Sequence, residues 1–358
     1  MAITTARAAA VLIVFTSAWS FCGGQDKPEQ NIPTLRTQTN VVLAPALVTD
    51  KAGKLIFGLK ASDFIIEDDG VEQPVKMDEA EPQESVSLVV AIQSGRSALR
   101  EFERMKGLSA MLDQIVGQPQ VQTAIVVFDA DVELGQDFSF DSDRTEAFLK
   151  SMVEGPRRKM KEGDRRGAAI YDAVRYSANL LRKQPDDSRR VLLLISETRD
   201  HGSHAVKLDD AIAAVNDSNT VMYSLAFSPT GSSALDTLRG RDSKNDPVHL
   251  NHDGQLIDII QMMKLAREAM RKNAPKAVAE MTGGEHELFS SRKSFERFMT
   301  DFSNHLYNRY LLRFEPKNPH PGLHHVRVRL REGKDLAVIA RRSYWVEDQS
   351  DRGSDQTQ

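Results

Sequence analysis

Apolar runs that suit strands alternate with segments of helical period through the middle of this 358-residue chain, and that alternation sets the first expectation about its fold. Residues 86–92 (VSLVVAI) and 191–195 (VLLLI) have no polar side. Such runs suit strands of a parallel sheet covered on both faces. Between them, Leu99, Phe102, Met105, Leu108, Met111, Leu112 and Ile115 recur at helical spacing, with Gly117 as the stop. Residues 121–128 and 132–138 read as strands joined by the turn Asp129-Ala130-Asp131, and residues 145–153 as a short helix. Ile170, Ala173, Val174, Ala178 and Leu181 mark a further helix. Leu208, Ala211, Ile212 and Val215 mark the next, ahead of a strand at 220–227. A long helical stretch at about 257–281 should be interrupted at Pro275, whose ring removes a donor and clashes with the preceding turn. Phe295, Phe298, Met299, Phe302 and Leu306 make a last amphipathic helix. The pattern predicts an α/β class fold over residues 84–304, a doubly wound, mostly parallel sheet with helices on both faces.

Both flanks read differently. Residues 31–83 carry short apolar runs at 41–48 and 64–67, turns at 50–53 and Asp68-Asp69-Gly70, and an acidic stretch from 77 that reads as a linker. This predicts a small β unit. In residues 305–345, Tyr310, Leu312 and Phe314 alternate with polar positions, and Val326, Val328 and Leu330 alternate with Arg327, Arg329 and Arg331. Period-two alternation predicts an antiparallel extension with one solvated, arginine-rich face. Residues 346–358 read as a polar, disordered tail.

Composition narrows the class. Hydrophobic residues are 40% and charged residues 27% of the chain, as expected of a globular protein with its own core. Lys plus Arg at 47 against Asp plus Glu at 51 gives a net charge of −4, which is not the balance of a general nucleic-acid binder. Cys22 is the one cysteine, so an intramolecular disulfide and a multi-cysteine metal site are both excluded. Arg7, the apolar residues 8–19 and the small residues near 20–24 follow one another as in a secretory signal, and the run is too short to span a bilayer. The reading is a signal peptide at 1–24 and an exported protein, periplasmic or extracellular, with no membrane span. Phe21 stands where a lipoprotein signal needs a small residue, which argues against lipid attachment at Cys22.

In an open α/β sheet, ligands bind beyond the carboxyl ends of the strands. Gln93-Ser94-Gly95-Arg96-Ser97 follows the first apolar strand and Ser196-Glu197-Thr198-Arg199-Asp200 a later one. Neither is a phosphate loop, a dinucleotide fingerprint or a hydrolase elbow, and no sequence neighbour is placed to activate Ser94. His249 and His252 lie three apart in a long polar loop, a spacing that occurs readily by chance. His324-His325 opens a strand, where alternation sends the two rings to opposite faces.

The order of these elements, with VVAIQSGRSA at the first strand, AIVVFDADVELGQDFSFD, GAAIYDAV, VLLLISETRDHGS, MTGGE and the closing YLLRFEP, VRVRL and RRSYW, resembles the von Willebrand factor type A fold. More narrowly it resembles the bacterial secreted VWFA-related domain proteins, over about residues 40–344. The resemblance implies a metal-ion-dependent adhesion site built from D-x-S-x-S, a Thr and an Asp around Mg²⁺. This sequence departs from that set: Ile92 stands at the Asp position, Arg96 at the second Ser, Ala168 at the Thr and Glu197 at the last Asp, while Ser94 matches. One hydroxyl and one carboxylate fall short of the octahedral oxygen cage that Mg²⁺ requires, so no metal and no cofactor are expected.

Function is therefore expected to be non-enzymatic: an adhesion-like module that binds a protein partner through Gln93, Ser94, Arg96, Ser97, Glu197 and Arg199. Arginines here, with the loop 156–166 (PRRKMKEGDRR), could hold an acidic group by paired charge-assisted hydrogen bonds. Alternatively, Arg96 pairs internally with Glu197 and the basic loop is only solvated. The competing function is an α/β-scaffold enzyme with a hydrolytic site using Asp172, Glu197 or the loop histidines.

Overall fold

The computed structural model describes residues 41–78, 85–95, 98, 101–154, 167–185, 187–227, 273–333 and 335–346, all within one compact unit, Asn40–Gln358. The signal peptide, Cys22, most of the acidic linker, Arg96, Ser97, the basic loop 156–166, the His249 and His252 loop and the tail beyond 346 lie outside the described residues.

The described residues form short outer strands β1 (Val42–Leu43), β2 (Ala46–Thr49), β3 (Phe64–Asp68), β4 (Val71–Gln73) and β5 (Lys76–Asp78). Next come β6 (Val86–Gln93), α1 (Leu108–Val116), β7 (Val121–Phe128), β8 (Val132–Ser139), α2 (Ser142–Glu154), α3 (Ile170–Arg182) and β9 (Arg189–Glu197). Then follow α4 (Leu208–Asp217), β10 (Val221–Phe227), α5 (Ala274–Thr282), β11 (His286–Leu288) and α6 (Arg292–Tyr307). The chain closes with β12 (Leu311–Phe314), β13 (Gly322–Leu330), β14 (Ala337–Ala340) and β15 (Ser343–Val346).

The central sheet has the order β8-β7-β6-β9-β10-β11. Every neighbouring pair is parallel except β7 with β8. All eight residues of β6 are buried, and alternation sorts them to two sides. Leu88, Val90 and Ile92 join Leu112 of α1, Leu149 of α2 and Phe298 of α6 in one apolar cluster. Val89 and Ala91 join Val174 of α3, Ile212 of α4 and Val278 of α5 in the other. Each such side chain withdrawn from water contributes about 1.5–3 kcal/mol, which is why the apolar runs legible in the sequence settle at the centre.

The outer segments do not stand apart. β12 pairs antiparallel with both β1 and β5, β13 with both β3 and β15, and β14 with β2. Strands from before and after the central sheet thus share a third apolar cluster, which includes Val48, Phe64, Ile66, Phe314, Val326 and Tyr344.

Two local expectations are corrected, and a third falls partly outside the described residues. The helical spacing from 99 does not give one continuous helix: Ala98 and Glu101 are helical, residues 102–107 form turns from which Phe102 and Met105 are buried, and after Gly107 at φ 90 α1 begins at Leu108. The part of the expected helical stretch before 273 lies outside the described residues; Pro275 itself sits in the first turn of α5, where its missing N–H costs nothing, behind the Asn273 side chain that accepts the Lys276 N–H at 3.0 Å. The arginine-rich face of β13 is not simply solvated: Arg329 donates to Glu67 at 2.9 Å and Arg331 lies 3.5 Å from Glu72.

Among the described residues, no helix is long and apolar enough to cross a membrane.

Candidate functional site

The chain leaves β6 toward β7 on one side of the sheet order, and β9 leads toward β10 on the other. The carboxyl ends of β6 and β9 therefore flank the point where strand order reverses, the place at which open α/β sheets present a ligand crevice. Gln93 ends β6 and Glu197 ends β9.

Their side chains close on each other. Gln93 Nε2 donates to Glu197 Oε1 at 2.7 Å, and Gln93 Oε1 accepts the Glu197 backbone N–H at 2.9 Å. Both residues are buried, at 1% and 3% exposure. The His201 ring, 53% exposed, places Nε2 3.6 Å from the same Glu197 oxygen.

Ser94 follows on the main chain. Its backbone N–H and, at 3.4 Å, its hydroxyl both donate to the Phe128 carbonyl. This geometry serves strand-end packing and offers no base to the hydroxyl. Next comes Gly95, where a Cβ would fall 1.8 Å from Asp129 Oδ1, so the Asp129 carboxylate lies directly against the glycine backbone.

Asp129, just past β7, is the residue that sequence reasoning missed. Burial and the neighbouring Glu197 carboxylate push its pKa up to about 6, partly offset by His201 and a hydrogen bond from Gln93. Its only sequence signal was its place after the last apolar residue of a strand, where a turn reading is the usual one. Its backbone carbonyl accepts the Ala169 N–H at 2.7 Å, which ties this strand end to the start of α3.

The third wall is the loop after β9. Asp200 Oδ1 accepts the N–H groups of Ile170 at 2.8 Å and Tyr171 at 3.2 Å and the Ser203 hydroxyl at 2.6 Å. A carboxylate so placed meets the positive end of the α3 dipole. Asp172 is turned the other way: its two oxygens accept the backbone N–H groups of Val206 and His204 at 2.8 and 3.3 Å. It is a loop anchor. Its oxygens are committed to the main chain, which does not suit the role of a general base.

The positions aligned with the adhesion-site ligands are occupied as follows. Ile92 and Ala168 are fully buried within the two apolar clusters. Glu197 is engaged by Gln93, and Arg199 is exposed nearby in sequence. Arg96 and Ser97 lie outside the described residues, so of the six residues expected to bind, the structure brings Gln93, Ser94 and Glu197 together at the strand ends. What this group can do is accept and donate hydrogen bonds through one exposed imidazole and one half-buried carboxyl that titrates near neutrality. Among the described residues, three His or carboxylate ligand atoms come within 4.8 Å of one another at a different place, around His324.

No family model and no curated protein matches this chain. Among solved structures it is similar to the conserved hypothetical protein BatB from Bacteroides thetaiotaomicron, at 15% identity over 62% of this chain and 99% of that one, with a TM-score of 0.40. It is also similar to an aerotolerance-related membrane protein from Bacteroides fragilis, at 16% identity, 62% and 99% coverage and a TM-score of 0.38. The PilB minor pilin from Streptococcus sanguinis is similar at 10% identity, over 64% of this chain and 63% of that one, with a TM-score of 0.38.

Proposed function

We propose that this chain is an exported, non-enzymatic protein-interaction module of the von Willebrand factor type A kind, whose strand-end face works without a metal ion. The observation that carries the reading is the paired hydrogen bond between Gln93 and Glu197. In a metal-dependent face the carboxylate at this place would be turned to a cation; here it is satisfied by a neutral amide from the adjacent strand. Two further facts support it. Ile92 and Ala168 supply no oxygen ligand, and the Ser94 hydroxyl is spent on a main-chain carbonyl.

On this reading the partner presents an acidic group to Arg96 and Arg199 by charge-assisted hydrogen bonds. The test is capture from an envelope or medium fraction by the immobilised mature protein, run beside Arg96→Ala and Arg199→Ala. Capture that weakens in either variant, and loses its salt dependence at an unchanged melting temperature, is the expected result. Capture that survives both variants while Arg96→Ala lowers the melting temperature would mean that Arg96 is an internal partner of Glu197, and would overturn the proposal.

One observation favours a second reading, a hydrolytic site on the same strand ends. Asp129 holds a proton up to about pH 6 beside Glu197 and His201, as an acid–base pair would. Asp129→Asn separates the two readings: it would abolish turnover of a hydrolysed substrate and leave capture of an acidic partner intact.

A further inference from the structure

The outer β strands assemble a second group of ionisable side chains, remote in sequence from the strand-end site. Asp69 and Gly70 form the two-residue turn between β3 and β4, both with positive φ, 47 and 82. Paired positive φ angles are what a tight hairpin of this hand requires. The turn is locked to β13, since the Asp69 N–H donates to the His325 carbonyl and Asp69 Oδ1 accepts the His325 N–H, each at 2.9 Å. Asp69 Oδ2 is thereby left facing His324 Nδ1 at 2.8 Å and His320 Nε2 at 3.4 Å.

His324 is fully buried in its side chain and sits between two rings, Tyr344 at 4.6 Å and His320 at 4.0 Å. Its Nε2 lies 2.7 Å from the His320 carbonyl. The His320 N–H also lies 3.3 Å from Nε2, but the shorter contact is to a carbonyl, which only accepts, so Nε2 is assigned the proton and Nδ1 is the ring atom turned toward acid. Asp68 completes the group: its Oδ2 accepts the Tyr344 hydroxyl at 2.9 Å, and its Oδ1 lies 3.4 Å from His324 Nδ1. Asp68 Oδ1 is buried and makes no hydrogen bond of good geometry, while His324 Nδ1 is paired with Asp69 Oδ2 at 2.8 Å.

We propose that Asp69, His320 and His324, with Asp68 Oδ1 beside His324, form a binding site for one divalent transition-metal ion of the zinc class. Two imidazole nitrogens and carboxylate oxygens are a donor set for zinc and its neighbours, whereas Mg²⁺ and Ca²⁺ require oxygen throughout. The ligand atoms of Asp69, His320 and His324 all lie within 4.8 Å of one another, and the contacts of 2.8 and 3.4 Å that Asp69 Oδ2 makes with the two imidazoles bracket the edge of a tetrahedron, about 3.3 Å when ligands lie about 2.0 Å from the ion. The surroundings have the form of a second shell. His324 donates its other ring N–H to a carbonyl, and the two carboxylates are oriented by Tyr344 and by the His325 N–H, the arrangement that fixes tautomer and direction in metal sites. His320 is 46% exposed, so its ring is free to leave the stack and bring Nε2 onto the ion.

The site escaped sequence reasoning because its members come from opposite ends of the chain, with Asp68 and Tyr344 276 residues apart. The adjacent pair His324-His325 drew attention, yet the ligand partner of His324 is His320.

The experiment is titration of the full chain with Zn²⁺, followed by melting temperature and calorimetry, and with Co²⁺, followed by its visible spectrum. One equivalent of Zn²⁺ should raise the melting temperature, Co²⁺ should give the bands of a four-coordinate site, and Mg²⁺ should do neither. His320→Ala, at a half-exposed position, should leave the metal-free melting temperature near the parent value, whereas Asp69→Asn keeps the acceptor for His325 but gives up the charged pair with His324 and lowers it; each should weaken Zn²⁺ at least tenfold. The proposal is overturned if Zn²⁺ does not bind, if both variants bind it as the parent does, or if binding is lost instead with His249→Ala and His252→Ala.

Discussion

Gln93 and Glu197 hold each other by two hydrogen bonds, one from side chain to side chain and one from the Glu197 main chain to the Gln93 amide oxygen, across the boundary where the sheet reverses its strand order. The relationship makes the end of β6 and the end of β9 one rigid edge. Replacing Gln93 by Ala strands a buried carboxylate and a backbone N–H, and is expected to cost about 2–4 kcal/mol, read as a lower urea midpoint at unchanged slope. A loss within experimental error would show that the clasp contributes nothing to the fold.

Asp129 gives the site a pH signature. Its folded-state pKa is raised to about 6 from the ordinary 3.8, so between these values the native chain binds more protons than the unfolded one. Stability must then fall as pH rises through that window. Asp129→Asn removes this component, so the variant should gain on the parent between about pH 4 and pH 7 and run parallel to it above. Urea midpoints at a series of pH values decide it, and parallel curves throughout would refute the assignment.

Millimolar Mg²⁺ should leave the melting temperature unchanged. A ligand that binds only the native state raises it with the logarithm of 1 + [L]/Kd, and among the described residues the strand ends offer no hard oxygen cage, with Ile92 and Ala168 in the core and Glu197 held by Gln93. A chelator-reversible rise that survives His320→Ala would place a cation at the strand ends and contradict this.

Gly283→Ala should be severely destabilising. The residue ends α5 with φ 80, and a Cβ would lie 2.4 Å from the Arg341 backbone nitrogen. Backbone cannot yield as a flexible side chain does, so a loss above about 2 kcal/mol is expected from strain and displacement together. A circular-dichroism melt within a degree or two of the parent would disprove the close packing there.

The alternation of apolar runs and helical stripes was enough to foresee a mostly parallel sheet covered on two sides, because strands such as 86–92 and 191–195 have no polar face to show water. Local chemistry was harder to place. Pro275 looks the same in a sequence whether it ends a helix or begins one, and the deciding feature, the Asn273 cap, is a single residue. Gln93, Ser94 and Glu197 were found by position alone, as residues after apolar strands. Asp129 held the same position and was passed over, since Asp129-Ala130-Asp131 is good turn chemistry. Pairing between the outer segments was invisible for a different reason: period-two alternation in β3 and β13 says which side chains share a face, and nothing about which strand lies beside which.

The antiparallel pairing of β3 with β13 and of β2 with β14 has a consequence for the order in which the chain acquires structure. A nascent chain can assemble the parallel sheet from segments made in succession. The outer strands must wait, since Asp69 meets His325 256 residues later. Closing so long a loop costs little more than closing a shorter one, about 0.6 kcal/mol per doubling of length, but it comes last and sets the pace. Until β13 arrives, Phe64 and Ile66 lie along an open strand edge, so a chain stopped short of residue 322 would present a sticky ribbon in place of a smaller finished protein.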